Sequence, residues 1–233
     1  MILLQEPFLS DTHDCPYLPG QRCRYEYFFA IDVNSEELSH LLEEGWRKFG
    51  AYFFRPNCPG CRKCIPLRVL VPDFSRSKSQ RRVQRKGSAV SVYFGPLRYS
   101  NRIYEIYQDH SLTRFGRKTE KEDFISSFYT QSCPMLQSEY SLDNKLIAAG
   151  FLDRGSNSLS SVYFIFDTQY AHLRLGTLSV LKEIDYARSL GLEYYYLGYW
   201  IRQNRSMAYK NRFYPQEQYD WESGKWRHIA NDS

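Results

Sequence analysis

Apolar and polar positions recur at two periods along the chain, and the switches between them mark out its elements. Met1 to about Arg24, with Asp11, Cys15, Pro16, Pro19 and Gly20, reads as loop. Arg24 to Val33 alternates in part and is rich in Tyr and Phe, which predicts a strand. A helix follows through Glu44, capped by Asn34 or Ser35, with Glu36 and Glu37 in its first turn, Leu38, Leu41 and Leu42 on one face, and Gly45 ending it. Ala51 to Phe54 predicts a strand that delivers the chain into a loop carrying Cys58, Cys61 and Cys64. Ile65 to Val71 has strand character, and Asp73 to Lys86 predicts a basic loop and helix.

The second half opens on a short strand, Val90 to Phe94, and a helix over Tyr99 to Phe115 with Ile103, Ile106 and Tyr107 at helical spacing. Lys145 to Phe151 and Leu159 to Asp167 read as adjacent strands joined by a turn at Arg154-Gly155-Ser156-Asn157. After Leu175-Gly176-Thr177 comes a helix whose Leu178, Leu181, Ile184, Ala187 and Leu190 share one stripe, stopped by Gly191. Leu192 to Tyr199 is then a strand. The fold class is mixed α/β, and the order hairpin, helix with a glycine at its start, then strand is compatible with an acyltransferase of the acetyltransferase-like kind. The clearest junction is Lys86-Gly87-Ser88, which divides the chain into 1–87 and 88–233.

Charge changes this picture by being local. Arg55 to Lys86 holds ten Lys or Arg against the single acid Asp73, whereas the whole chain of 233 residues is only +5. A compact positive block suits a polyanion, since each phosphate contact releases counterions without reading sequence. Arg76, Lys78, Arg81, Arg82, Arg85 and Lys86 place six bases in eleven residues without an acid, and these are the residues expected to meet phosphate. The start, Met1 to Glu6, lacks the basic region of a signal peptide, and no apolar run approaches the roughly 18 residues of a membrane span. A reducing cytosolic setting is therefore expected, in which the six cysteines are read as metal ligands, catalysts or packing rather than disulfides.

Several blocks of the sequence carry a resemblance. Cys15-Pro16-Tyr17-Leu18-Pro19, Gly45-Trp46-Arg47-Lys48, Tyr52 to Pro56, the Cys58/Cys61/Cys64 loop running into Ile65-Pro66-Leu67-Arg68, and Ser77 to Arg82 resemble the N-terminal half of the aminoacyl-tRNA protein transferases. Ser160-Ser161-Val162-Tyr163, Leu175-Gly176-Thr177, Tyr196 to Ile201 and Met207 to Phe213 resemble their C-terminal half. Within the family the chain is most similar to the bacterial branch, which transfers leucine from leucyl-tRNA to proteins bearing N-terminal Asp or Glu. Leu18 stands where the arginine-transferring branch has a second cysteine, and Phe115 stands where the bacterial pattern has histidine. The resemblance implies an N-terminal cysteine-bearing basic α+β module, a C-terminal acetyltransferase-like module, and a role in marking proteins for degradation through an N-degron. Leucyl-tRNA and acceptor proteins with N-terminal Asp or Glu would be its partners, without a membrane.

The implied reaction passes an acyl group from a ribose ester to a peptide α-amine, whose pKa of roughly 7.7–8.0 leaves it partly nucleophilic at neutral pH. Orientation then matters more than a strong base, and the chemistry requires no cofactor. Asp153 could bind the amine and take its proton, against the rival reading of a turn carboxylate before Gly155. Tyr163, Tyr199 and Tyr209 are candidate donors to the ester or leaving oxygen. Gly176 and Thr177, at a helix start, suit a phosphate or the terminal adenosine of tRNA, and Lys210 and Arg212 suit either tRNA phosphate or the acidic side chain of the acceptor. Cys58, Cys61 and Cys64, with Cys15 as the fourth ligand that the resemblance pairs with them, would hold a structural zinc or an iron–sulfur cluster. Cys23 and Cys133 read as small apolar residues. Arginine transfer, coenzyme A-dependent N-acetylation and metal-stabilised RNA binding without catalysis are the alternatives.

Overall fold

The computed structural model describes residues 1–116 and 118–229, with only the backbone at Phe115. Its strands are β1 (Ile2–Leu9), β2 (His13–Asp14), β3 (Arg22–Cys23), β4 (Tyr25–Ile31), β5 (Arg47–Phe49), β6 (Tyr52–Pro56), β7 (Ile65–Leu70), β8 (Ser91–Gly95), β9 (Met135–Leu142), β10 (Lys145–Arg154), β11 (Ser158–Phe166), β12 (Tyr194–Trp200), β13 (Gln216–Asp220) and β14 (Lys225–Ile229). The helices are α1 (Ser35–Glu43), α2 (Lys78–Lys86), α3 (Asn101–Phe115), α4 (Lys121–Phe128) and α5 (Leu175–Ser189). Two 3-10 turns, Thr168–Leu173 and Ala208–Arg212, precede α5 and follow β12.

Local chemistry explains the helix starts. Asn34 accepts from the Glu37 amide at 3.0 Å while the Glu37 carboxylate accepts from the Asn34 amide at 2.9 Å, a reciprocal cap that selects Asn34 over Ser35. Ser77 and Gln80 form the same box on α2, which buries only Gln80 and Val83 and leaves its basic residues outside. On α5, Leu181, Ile184 and Ala187 are buried as the spacing predicts, packed with Leu67, Val69, Leu159, Tyr195 and Leu197 from the sheet, while Leu178 of the same stripe packs with Val83, Val90, Tyr140 and Ile147; Leu190, expected on the stripe, is the C-cap residue and is exposed.

Strands assemble in two main sheets, a small one ordered β1-β4-β6-β5 and a large one ordered β14-β13-β7-β12-β11-β10-β9-β8. β7 belongs to the first half of the sequence, yet it lies between β12 and β13, antiparallel to both. The boundary at 87/88 falls between α2 and β8, where Gly87 presses on α5: a Cβ there would meet Leu178 Cδ2 at 2.5 Å. β11 and β12 pair in parallel only from Ser158/Tyr194 to Ser160/Tyr196. Beyond that point their ladder stops and a cleft opens between them. Among the described residues no helix is long and apolar enough to cross a membrane.

Three strands, β1, β2 and β3, lie in the stretch from Met1 to Arg24 expected as loop. β1 pairs with β4 through its backbone, while nearly all its side chains are exposed on both faces, so no alternation betrays it. The sequence pattern also gives no sign of β5, α4, β9, β13 or β14.

Two buried acids shape the core under the cleft. Asp153, at the end of β10, pairs with Lys48 of β5 at 3.2 Å, both side chains at most 2% exposed, and Cys133 Sγ adds a contact to the carboxylate at 3.6 Å. Glu183 of α5 takes hydrogen bonds from the Tyr195 and Tyr140 hydroxyls, and burial still raises its carboxyl to about 7.

Removing one member of a buried pair strands the other charge, which costs about 3–5 kcal/mol. Lys48→Met should lower the unfolding free energy by that amount in denaturant titrations, and adding Asp153→Leu should recover most of it; a single-variant loss under about 1 kcal/mol would contradict this role. For Glu183, between the unfolded value of roughly 4.3 and the folded value of about 7, the native state keeps a proton that the unfolded chain has released. Stability should therefore fall as pH rises through that window and level off above it. Glu183→Gln should flatten the dependence, as measured by melting temperature from pH 4 to 8.

Candidate active site

The cleft between β11 and β12 has a volume of about 460 Å³ and is closed by the N-terminus of α5, by α3 and by the segment 205–210. Five residues singled out from the sequence meet there: Tyr163, Gly176, Thr177, Tyr209 and Lys210. Burial raises Tyr163 and Tyr209 each to about 12, so both keep their protons as donors at neutral pH. α5 has no side-chain cap, and its N-cap residue Arg174 adopts the left-handed conformation, φ 56°. A Cβ added at Gly176 would meet nothing within 4 Å, so that side of the helix start is open space. The first turn therefore presents N–H groups and the positive dipole end to the cleft.

Lys210 is half-buried, and its ammonium donates to the Tyr199 carbonyl at 3.2 Å. Burial first, and Arg47 second, lower it to about 7. Arg47 reaches across from β5, donating to the Ser160 hydroxyl at 2.6 Å and to the Ser161 carbonyl.

His110 also lines the cleft and was missed in the sequence. It is 3% exposed, packs edge-on against Phe166 at 4.8 Å, and burial with Arg114 nearby lowers it to about 4, leaving the imidazole neutral. Its Nδ1 has no hydrogen-bond partner. A signal existed: His110 continues the apolar stripe of Ile103, Ile106 and Tyr107, where a polar residue is out of pattern. The side chain of Phe115, the position where histidine was expected, lies outside the described residues.

Other predicted residues stand elsewhere. Asp153 is committed to Lys48 and stands apart from the cleft lining. Tyr199 turns its hydroxyl to the Gly45 and Phe54 carbonyls, at 2.8 and 3.3 Å, and so ties the two sheets together. Arg76 pairs with Asp185. Lys78, Arg81 and Arg82 are exposed on α2, and Arg212, also exposed, shares a small depression with Ser79, Arg174 and Thr177 at the start of α5. The basic face thus leads toward the mouth of the cleft.

Cys15, Cys58 and Cys61 lie near enough to Cys64 to raise its thiol, which burial first drives up to about 12. Cys23, read as an ordinary apolar residue, joins this group: burial raises it to about 11, with Cys58 and Cys15 adding to the shift. Among the described residues no group of three Cys, His, Asp or Glu is poised to hold a metal ion.

Comparison with known proteins gives consistent matches. The family described as "Arginine-tRNA-protein transferase, N terminus" matches residues 13–82, and "Arginine-tRNA-protein transferase, C terminus" matches 100–220. A protein of Helicobacter hepaticus named aspartate/glutamate leucyltransferase is 33% identical over 90% of each chain. Proteins of the same name from Marinobacter nauticus and Chromobacterium violaceum are 32% and 33% identical, over 97% and 94% of this chain and 96% and 92% of theirs. Among solved structures, the C-terminal domain of a putative lysylphosphatidylglycerol synthetase from Agrobacterium fabrum has a TM-score of 0.48 at 14% identity, covering 86% of this chain and 74% of that one. FemX has a TM-score of 0.49 at 10% identity, covering 74% and 63%. The two family matches stand in order along nearly the whole sequence, and relatives of almost equal length share about a third of its residues: the chain belongs to the arginine-tRNA-protein transferase family.

Proposed function

We propose that the chain is an aminoacyltransferase that moves leucine from leucyl-tRNA to the N-terminal α-amine of proteins beginning with Asp or Glu, creating an N-degron. The choice of leucine and of acidic acceptors rests on the names carried by its relatives. The observation that supports it most is the meeting, in one cleft, of an uncapped helix start, two protonated tyrosines and a lysine, beside an exposed basic helix.

In this reading the 3′ end of the tRNA enters over Gly176 and Thr177, while Lys78, Arg81, Arg82 and Arg212 meet phosphates farther along the acceptor stem. The acceptor amine attacks the ester carbonyl. A C–N bond forms, the bond from the carbonyl carbon to the ribose oxygen breaks, and the proton leaving the amine ends on that oxygen. Tyr163 and Tyr209 donate hydrogen bonds to the oxygens on which charge develops. Since Asp153 is tied to Lys48, the reaction is left to orientation, which can supply roughly 7–11 kcal/mol. The chemistry needs no cofactor. The soft donor set Cys15, Cys58, Cys61 and Cys64 suits a structural zinc or an iron–sulfur cluster, and metal content after anaerobic purification decides it.

Labelled leucine should pass from charged tRNA to peptides beginning with Asp or Glu and leave those beginning with Lys or Arg unlabelled. Labelled arginine on the same peptides would overturn the choice of donor, and acyl transfer from acetyl-CoA instead would overturn the class of donor. Replacing Arg81 and Arg82 by Gln should weaken tRNA binding and reduce the slope of log K against log salt by about 1–2, one contact per base. An unchanged slope would remove α2 from the tRNA path.

A further inference from the structure

The geometry points to Lys210, with Arg47 behind it, as the receptor for the side-chain carboxylate of the acceptor's N-terminal residue. This rests on the leucyltransferase reading above for the identity of the acceptor.

The two cations are brought together by a gap in β12. Gly198 has φ +77° and sits where the β12–β7 register slips, and a Cβ placed on it would lie 3.5 Å from both Arg47 Nη2 and Lys210 Nζ. Arg47 comes from β5 in the small sheet, Lys210 from the 3-10 turn after β12.

Neither cation is neutralised. Among the described residues, no carboxylate lies within 4.0 Å of either. Asp153, whose field reaches Arg47, is already spent on Lys48. Their hydrogen bonds run to neutral acceptors instead: Arg47 to Ser160 and Ser161, Lys210 to the Tyr199 carbonyl. In its protonated form Lys210 has three donors, of which two remain, in a side chain that lines the cleft. Burying adjacent cations without an anion is costly, and that cost falls when a carboxylate arrives. Burial lowers the pKa of both groups, against the pull of Asp153 at Arg47, and at Lys210 the Arg47 charge adds to the fall.

Size and position favour a carboxylate over a phosphate. Phosphates have the exposed cations of α2 and the open start of α5. In Asp or Glu the carboxylate is only a few bonds from the α-amine, so its receptor must adjoin the reacting centre. Lys210 directly follows Tyr209, a donor to that centre in the reading above. Asn and Gln present the same shape without the charge, which makes them the controls.

The test compares kcat/KM for leucine transfer by the full-length protein to peptides beginning with Asp, Glu, Asn and Gln. Lys210→Met should reduce the Asp/Asn and Glu/Gln ratios by about 10- to 100-fold, the size of a charge-assisted hydrogen bond, and Lys210→Arg should keep most of the preference. Equal losses on all four peptides would overturn the assignment and make Lys210 a proton acceptor or a tRNA contact. A second measurement needs neither tRNA nor turnover: NMR titration with Asp-Ala and Asn-Ala dipeptides. Wild type should bind the first about tenfold or more tightly, and Lys210→Met should bind both alike. Wild type that transfers no leucine while preferring Asp-Ala would refute the leucyltransferase reading and leave the receptor standing. Equal affinity for the two dipeptides in wild type would overturn the receptor.

Discussion

The buried contact between Lys48 and Asp153 is the constraint on which the rest of this structure depends. Two ions taken out of water demand good geometry, so the pair fixes β5 of the small sheet against the end of β10 in the large one. Once Lys48 is pinned, its neighbour Arg47 can reach only Ser160 and Ser161, and that locates the wall of the cleft. Tyr199 repeats the logic from the other side, hydrogen-bonding Gly45 and Phe54 across the same junction. The join between sheets thus adds these directional polar contacts to an apolar seam of Phe28, Phe53, Met135 and Tyr196, and the cleft inherits its shape from both.

Much of this was legible in the sequence where one face of an element is buried and the other wet. α1 follows its cap and α5 most of its stripe, because caps are local chemistry and stripes are forced by a single apolar neighbour. β1 was lost because both its faces are exposed, so burial wrote no pattern on it. Of the candidate site, the residues that meet in the cleft come from blocks read as functional, but Asp153 and Tyr199 do not line it. A strand-end carboxylate and a tyrosine look the same in sequence whether they face a ligand or another sheet. That difference lies in Lys48 and Gly45, each more than a hundred residues away. His110 was hidden by the opposite bias, since a histidine on an apolar stripe reads as core.

The charge of the molecule is sorted by depth. The bases of α2 are in water, where they attract a polyanion at long range and hold it loosely. Arg47 and Lys210 are half-buried in the fold, where attraction is shorter-ranged and more selective. Between the two stands the start of α5, a positive pole made by the backbone alone. Similarly, the thiols of Cys15, Cys23, Cys58, Cys61 and Cys64 are gathered near one another where the chain runs into β7.

That strand has a consequence for how the protein comes into being. β7 is made early on the ribosome, but its two neighbours, β12 and β13, begin at Tyr194 and Gln216, well over a hundred residues later. Until they emerge, Ile65-Pro66-Leu67-Arg68-Val69-Leu70 is an apolar ribbon with both edges open, the kind of segment that invites non-native pairing. Closing so long a loop is entropically slow, and the reward arrives only when nearly all of the chain is present. The nascent protein must therefore be kept from aggregating for most of its synthesis, and a ribosome that stalls before residue 194 releases a chain in which the large sheet cannot close around β7 and the cleft cannot exist.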